Sequence, residues 1–183
     1  VTPAGRAIAQ AAVGNRGPYP HPDFRQLDTW IVIHPDNTAT FFVGKTDGGQ
    51  GTGTAFRQMM CDELDIPYAA TRLVMGSTDT TPDQGGSGGS DGVEVDGWPM
   101  RYAAAEARRT LLELASSRLN TPVAQLSAMD GKIVVSAAPS RAITYAELIG
   151  GQRFDVSLDG RNINDTRGIA DVKPVQDLRV IGQ

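Results

Sequence analysis

The first clear pattern along this chain is a pair of short β-branched and aromatic runs separated by turn residues. Residues 29–33 form the first run and Ala39–Val43 the second. Between them lie Pro35, Asp36 and Asn37, which favour a tight turn because proline fixes φ and the Asp and Asn side chains hydrogen-bond to nearby backbone. The pattern predicts a β-hairpin, with His34 at the end of its first strand.

Apolar residues at helical spacing follow the glycine-rich stretch GGQGTGT, which begins at position 48. Phe56, Met59, Met60 and Leu64 recur every three or four residues, and this spacing predicts a helix with one buried face. Thr71–Met75 then predicts a third strand. The order of strand, glycine-rich turn, helix and strand indicates a βαβ-like unit.

A second glycine-rich stretch, DQGGSGGSDG at positions 83–92, separates the third strand from a long predicted helix. Its composition is that of a flexible linker. Either this stretch is disordered, or a ligand must approach its backbone and side chains would be in the way. The helix beyond it is predicted from one apolar stripe. The stripe consists of Ala104, Ala107, Leu111, Leu114, Ala115 and Leu119.

Shorter signals occupy the last third of the chain. Thr-Pro at positions 121–122 predicts the N-cap and first residue of a further helix. Asp-Gly at positions 130–131 predicts the turn of a small hairpin. Thr144 and Glu147 have the spacing of a capping box, and two glycines then end that short helix.

Together these elements predict an α+β fold, a small mixed sheet with two main helices. Residues 1–26 contain Gly and Pro without periodicity and predict an irregular N-terminal arm. Residues 27–120 contain the first three strands, both main helices and both glycine-rich turns. Residues 121–183 are expected to form a small α/β extension and a connector.

Composition excludes several classes of protein. The 183 residues are 40% hydrophobic and 21% charged with a net charge of −4, and no Lys/Arg cluster is present, so nucleic acid is not an expected partner. No apolar run is long enough to predict membrane insertion. One cysteine, Cys61, excludes internal disulfides and cysteine-ligated metal sites, and the two histidines, His21 and His34, have no ligand spacing. No metal-ligating residue is predicted.

Three familiar motifs are not satisfied by this sequence. GKT at positions 44–46 lacks the glycine that a phosphate-binding P-loop needs five residues earlier, since position 39 is alanine. GGQGTGT does not satisfy G-x-G-x-x-G from any starting glycine, which argues against a Rossmann-type nucleotide-binding enzyme. No G-x-S-x-G is present, and Cys61, on a predicted helix without a histidine partner, is expected to be a buried apolar residue.

The two glycine-rich turns remain as candidate chemistry. Each follows a strand and opens towards a helix, at positions 48–51 and 88–92. Bare backbone N–H groups at helix N-termini favour anions, and glycine lets a large ligand approach the main chain. Gln50 has both donor and acceptor atoms with which to contact the edge of a heterocycle. Two ordinary surface turns would have the same composition, so both interpretations stay open at this point.

Longer stretches around these turns resemble a known family. VGKTDGGQGTGTAFRQMMCDELDIP is similar to the stretch around a Gly-Gln-Gly motif in the large subunit of xanthine dehydrogenase-like molybdenum hydroxylases (aldehyde oxidase/xanthine dehydrogenase type). MGSTDTTPDQGGSGGSDGVEVDG is similar to a later cofactor-binding loop of the same domain. LDTWIVIHPDNTATFFVGK, YAAAEARRTLLELASSRL and ITYAELIGGQRF narrow the resemblance to the isoquinoline 1-oxidoreductase β-subunit branch.

The resemblance implies a molybdopterin cofactor, in the cytosine dinucleotide form of bacterial relatives, and site residues that contact it. Family enzymes oxidise N-heterocycles or aldehydes with water as the oxygen source. Lys45 stands where many relatives have glycine, Gly48 stands where a larger residue often sits, and Asp91 is expected to contribute its N–H and not its carboxylate. The implied contacts are Gly49, Gln50 and Gly51 in the first turn and Gly88, Gly89, Ser90, Asp91 and Gly92 in the second.

The resemblance also implies partners: the remainder of a large subunit, an iron–sulfur subunit that carries the clusters, and a cytochrome c. The family's glutamate base and substrate pocket would lie beyond Gln183, so no catalytic residue is assigned here and the isolated chain is expected to show no turnover. Relatives of this branch point to the periplasm, with the cytoplasm as the alternative. A different class of function, a non-catalytic module whose arm and tail dock onto a partner of an oxidoreductase complex, stays open.

Overall fold

The computed structural model describes residues 23–182, so most of the predicted arm, together with His21, lies outside the described residues. The predicted hairpin is confirmed: strand β1 (Ile31–Ile33) pairs antiparallel with β2 (Ala39–Val43). Strand β3 (Thr71–Met75) pairs parallel with β2, which completes a mixed sheet in the order β1-β2-β3. Helix α1 (Thr52–Leu64) connects β2 to β3, so the βαβ-like unit is confirmed.

Helix α2 (Gly97–Leu119) packs against α1 and both sheets. The predicted stripe is buried at Ala104, Ala107, Leu111 and Ala115, whereas Leu114 is 37% exposed. The small alanine side chains allow close approach of the large buried residues of the sheet and of α1. The largest of these include Trp30, Phe41, Phe56, Met60 and Leu64.

A second, antiparallel sheet follows α2, and its third strand was not predicted. Strand β4 (Leu126–Met129) pairs with β5 (Lys132–Val135) around the predicted Asp-Gly turn, and β6 (Ala138–Thr144) pairs with β5. Helix α3 (Tyr145–Ile149) begins at the predicted capping box, in which Glu147 N–H donates to Thr144 Oγ1 (3.1 Å). The prediction of two main helices is therefore confirmed, and the strands form two small sheets.

The helix predicted from Thr121 and Pro122 is wrong. Only a 3₁₀ turn, Val123–Gln125, follows, and β4 begins at the next residue. The Thr121 hydroxyl donates back to Leu119 O (3.0 Å) instead of capping a new helix. The backbone N–H and C=O groups of β4, which a helix would have used for its own hydrogen bonds, pair with β5 instead.

The tail after α3 has little regular structure, but carboxylates of this chain hold it in place. Glu63, which is fully buried, accepts Lys173 N–H (3.0 and 3.1 Å) together with the guanidinium groups of Arg101 and Arg108. Asp62 accepts three consecutive amides at positions 179–181 (2.6–2.9 Å). The part of the chain that the structure describes includes no helix long and apolar enough to span a membrane.

Candidate functional site

The two glycine-rich turns face each other across one cavity of about 320 Å³. The first turn connects β2 to α1, and the second belongs to the long loop between β3 and α2. The first turn and the residues on either side of it contribute Lys45, Thr46, Gln50, Thr52 and Phe56 to the wall, and the second turn with its neighbours contributes Ser87, Gly88, Gly89, Ser90, Gly92 and Val93. Of the eight predicted contacts, Gln50, Gly88, Gly89, Ser90 and Gly92 line the cavity, whereas Gly49, Gly51 and Asp91 are not among its lining residues.

Hydrogen bonds fasten the second loop to the residues that follow β2. Gly44 N–H donates to Gln84 Oε1 (2.9 Å), and Gln84 Nε2 donates to Asp96 O (3.2 Å). Thr46 N–H donates to Ser87 Oγ (3.1 Å), whose hydroxyl is 3.1 Å from Thr46 O. Hydrogen bonds therefore hold the Gly-Ser stretch against the residues that follow β2, so it is not a free spacer, and the approach of a ligand to its backbone stays a prediction.

Gly44 explains how the loop can lie so close to the strand. A Cβ atom at this position would lie 1.8 Å from Pro82 O and 2.9 Å from Pro82 C. No side chain can be accommodated against backbone at that distance, so only glycine permits the approach. In the sequence this glycine stood out only as part of a failed P-loop motif.

A buried ion pair also lies at the cavity wall. Lys45 Nζ is 2.8 Å from Asp96 Oδ2 and donates to Gly86 O (2.8 Å). The two side chains are 6% and 5% exposed, so each charge needs the other. The pair joins the end of β2 to the residue that precedes α2. In the sequence Lys45 stood out only as a departure from the family pattern, and no signal paired it with Asp96.

The first turn differs from the prediction of bare backbone amides. Gly49 N–H and Gly51 N–H donate to Asp47 Oδ1 (2.8 and 3.2 Å), and Gly53 N–H donates to Asp47 Oδ2 (2.9 Å). These amides, those of Gly53 and Gly49 foremost, hold the pKa of the Asp47 carboxyl below its ordinary value. The aspartate precedes the helix and is not among the site residues predicted from the sequence. It supplies the anion that the helix N-terminus would otherwise attract.

The second turn keeps its amides available. Within the described residues, the N–H groups of Gly88, Gly89, Ser90 and Gly92 donate to no other group, whereas Asp91 N–H donates to Gly88 O (3.2 Å). Gly89 and Ser90 have positive φ values of 63° and 66°. The prediction that this turn lies at a helix N-terminus is wrong, because α2 begins only at Gly97.

The remaining candidates from the sequence lie away from this cavity. Cys61 is 1% exposed, and burial raises the pKa of its thiol to about 11, which confirms the expected structural role. His34 Nε2 is 2.8 Å from Thr40 Oγ1 at the end of β1. Residues 23–182 contain no group of three or more His, Cys, Asp or Glu side chains arranged to hold a metal ion.

Comparison with known proteins identifies the domain. Residues 4–171 match the family of the molybdopterin cofactor-binding domain. The chain belongs to this family. The resemblance seen in the sequence is thereby confirmed at the level of the xanthine dehydrogenase/CO dehydrogenase-type molybdopterin-binding domain.

Curated relatives of this molybdopterin-binding domain are much longer proteins. The chain is 30% identical over all 183 residues to one of the subunits of nicotinate dehydrogenase from Pseudomonas putida, of which it covers 14%. It is 26% identical over 129 residues, 67% of its length, to the β-subunit of isoquinoline 1-oxidoreductase from Brevundimonas diminuta, of which it covers 16%. The molybdenum-binding subunit of xanthine dehydrogenase from Escherichia coli O157:H7 is 26% identical over 114 residues, 62% of this chain and 15% of that protein.

Solved structures share the fold of this molybdopterin-binding domain. Quinoline 2-oxidoreductase from Pseudomonas putida 86 superposes with a TM-score of 0.55 at 25% identity, over 64% of this chain and 15% of that one. Reconstituted CO dehydrogenase from Oligotropha carboxidovorans superposes with a TM-score of 0.56 at 28% identity, over the same shares. The predicted fold class is thus confirmed.

Proposed function

We propose that this domain forms part of the molybdopterin site of a molybdenum hydroxylase and that the cofactor lies between the two glycine-rich turns. The observation that carries the proposal is their convergence: Gln50 lines the same cavity as Gly88, Gly89, Ser90 and Gly92. Turns this far apart in the sequence would share a cavity only by chance if both were ordinary surface turns.

The groups at this cavity suit a planar, phosphorylated ligand. The second turn offers unbonded N–H groups and the Ser90 hydroxyl as donors to phosphate, and Gln50 Nε2 offers a donor to a heterocycle edge. Ligand pockets span roughly 300–1,000 Å³, so a cavity of about 320 Å³ suits one segment of a dinucleotide cofactor and not the whole of it. When bound, the molybdenum cofactor supplies the oxidation–reduction chemistry, and these residues bind and orient it.

The finer parts of the proposal follow from the relatives. We infer the cytosine dinucleotide form of the cofactor and a substrate that is an N-heterocycle or an aldehyde, with water as the oxygen source. Similarity to nicotinate dehydrogenase and isoquinoline 1-oxidoreductase supports the N-heterocycle, and 29% identity over 135 residues to a membrane-bound aldehyde dehydrogenase of Gluconacetobacter polyoxogenes supports the aldehyde. The remainder of a large subunit, an iron–sulfur subunit, a cytochrome c acceptor and a periplasmic location belong to the same proposal.

Cofactor loading provides the test. The chain is co-expressed with the remainder of a large subunit in cells that make the molybdenum cofactor, and molybdenum and acid-released cytidine monophosphate are measured in the purified complex. Gly88→Val places an isopropyl group in the cavity, whereas Gly86→Val, two residues earlier, does not line it; neither added Cβ meets another atom within 4 Å. We expect wild type and Gly86→Val to carry both components and Gly88→Val to lose at least about 90% of them. Equal loading of the three proteins would contradict the proposed site.

A second candidate function is that of an assembly module. Val93, which lines the cavity, is 43% exposed, and Val95 and Trp98 are 47% and 44% exposed. Large apolar side chains at a surface favour contact with another protein. The tail no longer supports this candidate, because Asp62 and Glu63 of the same chain bind its backbone. Wild-type protein without molybdenum or cytidine monophosphate would favour the assembly module.

A further inference from the structure

We infer that Asp47 closes the first turn to anions, so that the charged part of a ligand is excluded from the N-terminus of α1. This inference rests on the proposed function for the identity of the ligand, but it concerns a residue that does not line the cavity. Asp47 would act as a positioning residue, because it fixes which of the two turns accepts negative charge.

Three amides at the start of α1 already share one carboxylate. Asp47 Oδ1 accepts from Gly49 (2.8 Å) and Gly51 (3.2 Å), and Asp47 Oδ2 accepts from Gly53 (2.9 Å). A helix N-terminus with three convergent donors normally attracts phosphate or sulfate. Here a second anion would have to displace the carboxylate or lie beside its negative charge, and both options are unfavourable.

The groups that the first turn still offers are uncharged. Gln50 Oε1 accepts Gly48 N–H (2.6 Å), and Gln50 Nε2 makes only long contacts of 3.4 Å with Thr46 O and Thr52 Oγ1. Gln50 Nε2 therefore keeps donor capacity for a ligand, and the Thr52 hydroxyl lies beside it on the cavity wall. These groups suit the neutral edge of a heterocycle.

The opposite wall has the reverse character. Gly88, Gly89 and Ser90 present amides that donate to no group of the described residues, although the Asp91 carboxylate lies beside Gly89. The Lys45 ammonium on the first wall adds no net charge, because it is paired with Asp96. Because this turn keeps amides free and the first turn does not, a ligand with one anionic and one neutral end is expected to place its anionic end here. Without Asp47, both walls would accept an anion and the orientation would be lost.

Amide chemical shifts of the full ¹⁵N-labelled chain, titrated with inorganic pyrophosphate, provide the test. In wild type we expect no pyrophosphate-induced shift at Gly49, Gly51 or Gly53. In Asp47→Ala we expect these three amides to shift with saturation, as a binding event that wild type lacks. Asp36→Ala is the matched control, since Asp36 is also an exposed aspartate that caps a turn, by accepting Thr38 N–H (3.0 Å), and it should behave as wild type.

Asp47→Asn keeps an acceptor oxygen but removes the charge, so it provides a second variant in case Asp47→Ala does not fold. We expect it to show the same new amide shifts more weakly. The inference is overturned if pyrophosphate shifts these amides in wild type, or if neither variant gains a response. If pyrophosphate shifts no second-turn amide in wild type but shifts the first-turn amides in the variants, the role of Asp47 is supported and phosphate binding at the second turn is contradicted. If pyrophosphate shifts only second-turn amides in every protein, phosphate binding there is supported and the role of Asp47 is contradicted.

Discussion

Lys45 and Asp96 form a buried ion pair, with 2.8 Å between Nζ and Oδ2, that closes the base of the long loop between β3 and α2. The same ammonium group donates to Gly86 O within that loop (2.8 Å). One charged side chain at the end of β2 thus holds both the middle and the end of the loop. Because both charges are largely shielded from water, the loop can open only if the pair is broken or hydrated.

Removing one partner of this pair should destabilise the protein more than removing both. In Lys45→Met the Asp96 carboxylate stays buried without a counter-charge, and we expect a loss of about 3–5 kcal/mol in the free energy of unfolding. The double variant Lys45→Met/Asp96→Asn carries no buried charge at this place and should lose less. Urea unfolding followed by circular dichroism measures both. A double variant no more stable than Lys45→Met would show that the pair is not the reason for the loss.

Gly44→Ala should disrupt the contact between the loop and the strand. The added methyl group would lie 1.8 Å from Pro82 O, so backbone must move, and we expect a loss of at least about 1–3 kcal/mol together with weaker cofactor loading. Gly86→Ala is the control, since nothing lies within 4 Å of its added Cβ, and it should change stability by no more than about 0.5 kcal/mol. Similar effects of the two substitutions would contradict the steric explanation.

Much of the fold could be predicted because local signals determine it. The hairpin of β1 and β2, the helix after GGQGTGT and the capping box at Thr144 each depend on neighbouring residues, and each is found where it was expected. The false helix at Thr121 shows the limit of such signals. The Thr-Pro pair is a local signal for the start of a helix. The backbone groups from Leu126 onward pair with β5, however, so a helix cannot continue through them.

The site was predicted only in part, because its key contacts are distant in sequence or depend on rotamers. Composition marked both glycine-rich turns, but the pairing of Lys45 with Asp96 joins two residues far apart in the chain and leaves no periodic signal. The role of the Asp47 carboxylate has no signal in the sequence, because glycines near a helix start suggest bare amides. Whether such amides are available depends on where one short side chain points, which composition does not specify.

Glu63 should be one of the most sensitive positions outside the cavity. Its carboxylate is fully buried between Arg101 (2.6 Å) and Arg108 (3.2 Å), and it also accepts Lys173 N–H. We expect Glu63→Gln to cost about 3–5 kcal/mol in urea unfolding, because two partly buried guanidinium groups lose their counter-charge. Glu113→Gln removes a carboxylate that is 54% exposed and pairs with Arg109, and it should cost about 0.5 kcal/mol or less. Equal losses would show that burial does not govern the effect.

Asp62 should control the docking of the tail without controlling the fold. Its carboxylate accepts the amides of Arg179, Val180 and Ile181 at 2.6–2.9 Å. In Asp62→Ala we expect hydrogen exchange at these three amides to accelerate at least about tenfold, since bonds to a charged acceptor contribute about 1.5–3 kcal/mol. Exchange in the sheet of β1 to β3 should stay unchanged. Asp177→Ala, an exposed carboxylate in the same tail, is the control, and tail exchange that does not change in Asp62→Ala would contradict the contact.

Cys61 provides an intrinsic probe of opening. Its side chain is 1% exposed and burial raises the pKa of the thiol from 9.0 to about 11, so at pH 8 the native thiol should not react with iodoacetamide on the timescale of an exposed cysteine. Alkylation should then accelerate with urea in proportion to the unfolded fraction. Because the pKa is higher in the folded state, the stabilisation linked to this thiol is complete below pH 9 and is lost as the pH rises towards about 11. The difference in unfolding free energy between wild type and Cys61→Ala should therefore decrease over that interval, and taking the difference cancels the titration of other groups. Rapid alkylation of the native protein at pH 8 would show that the helix α1 face carrying Cys61 opens independently of global unfolding.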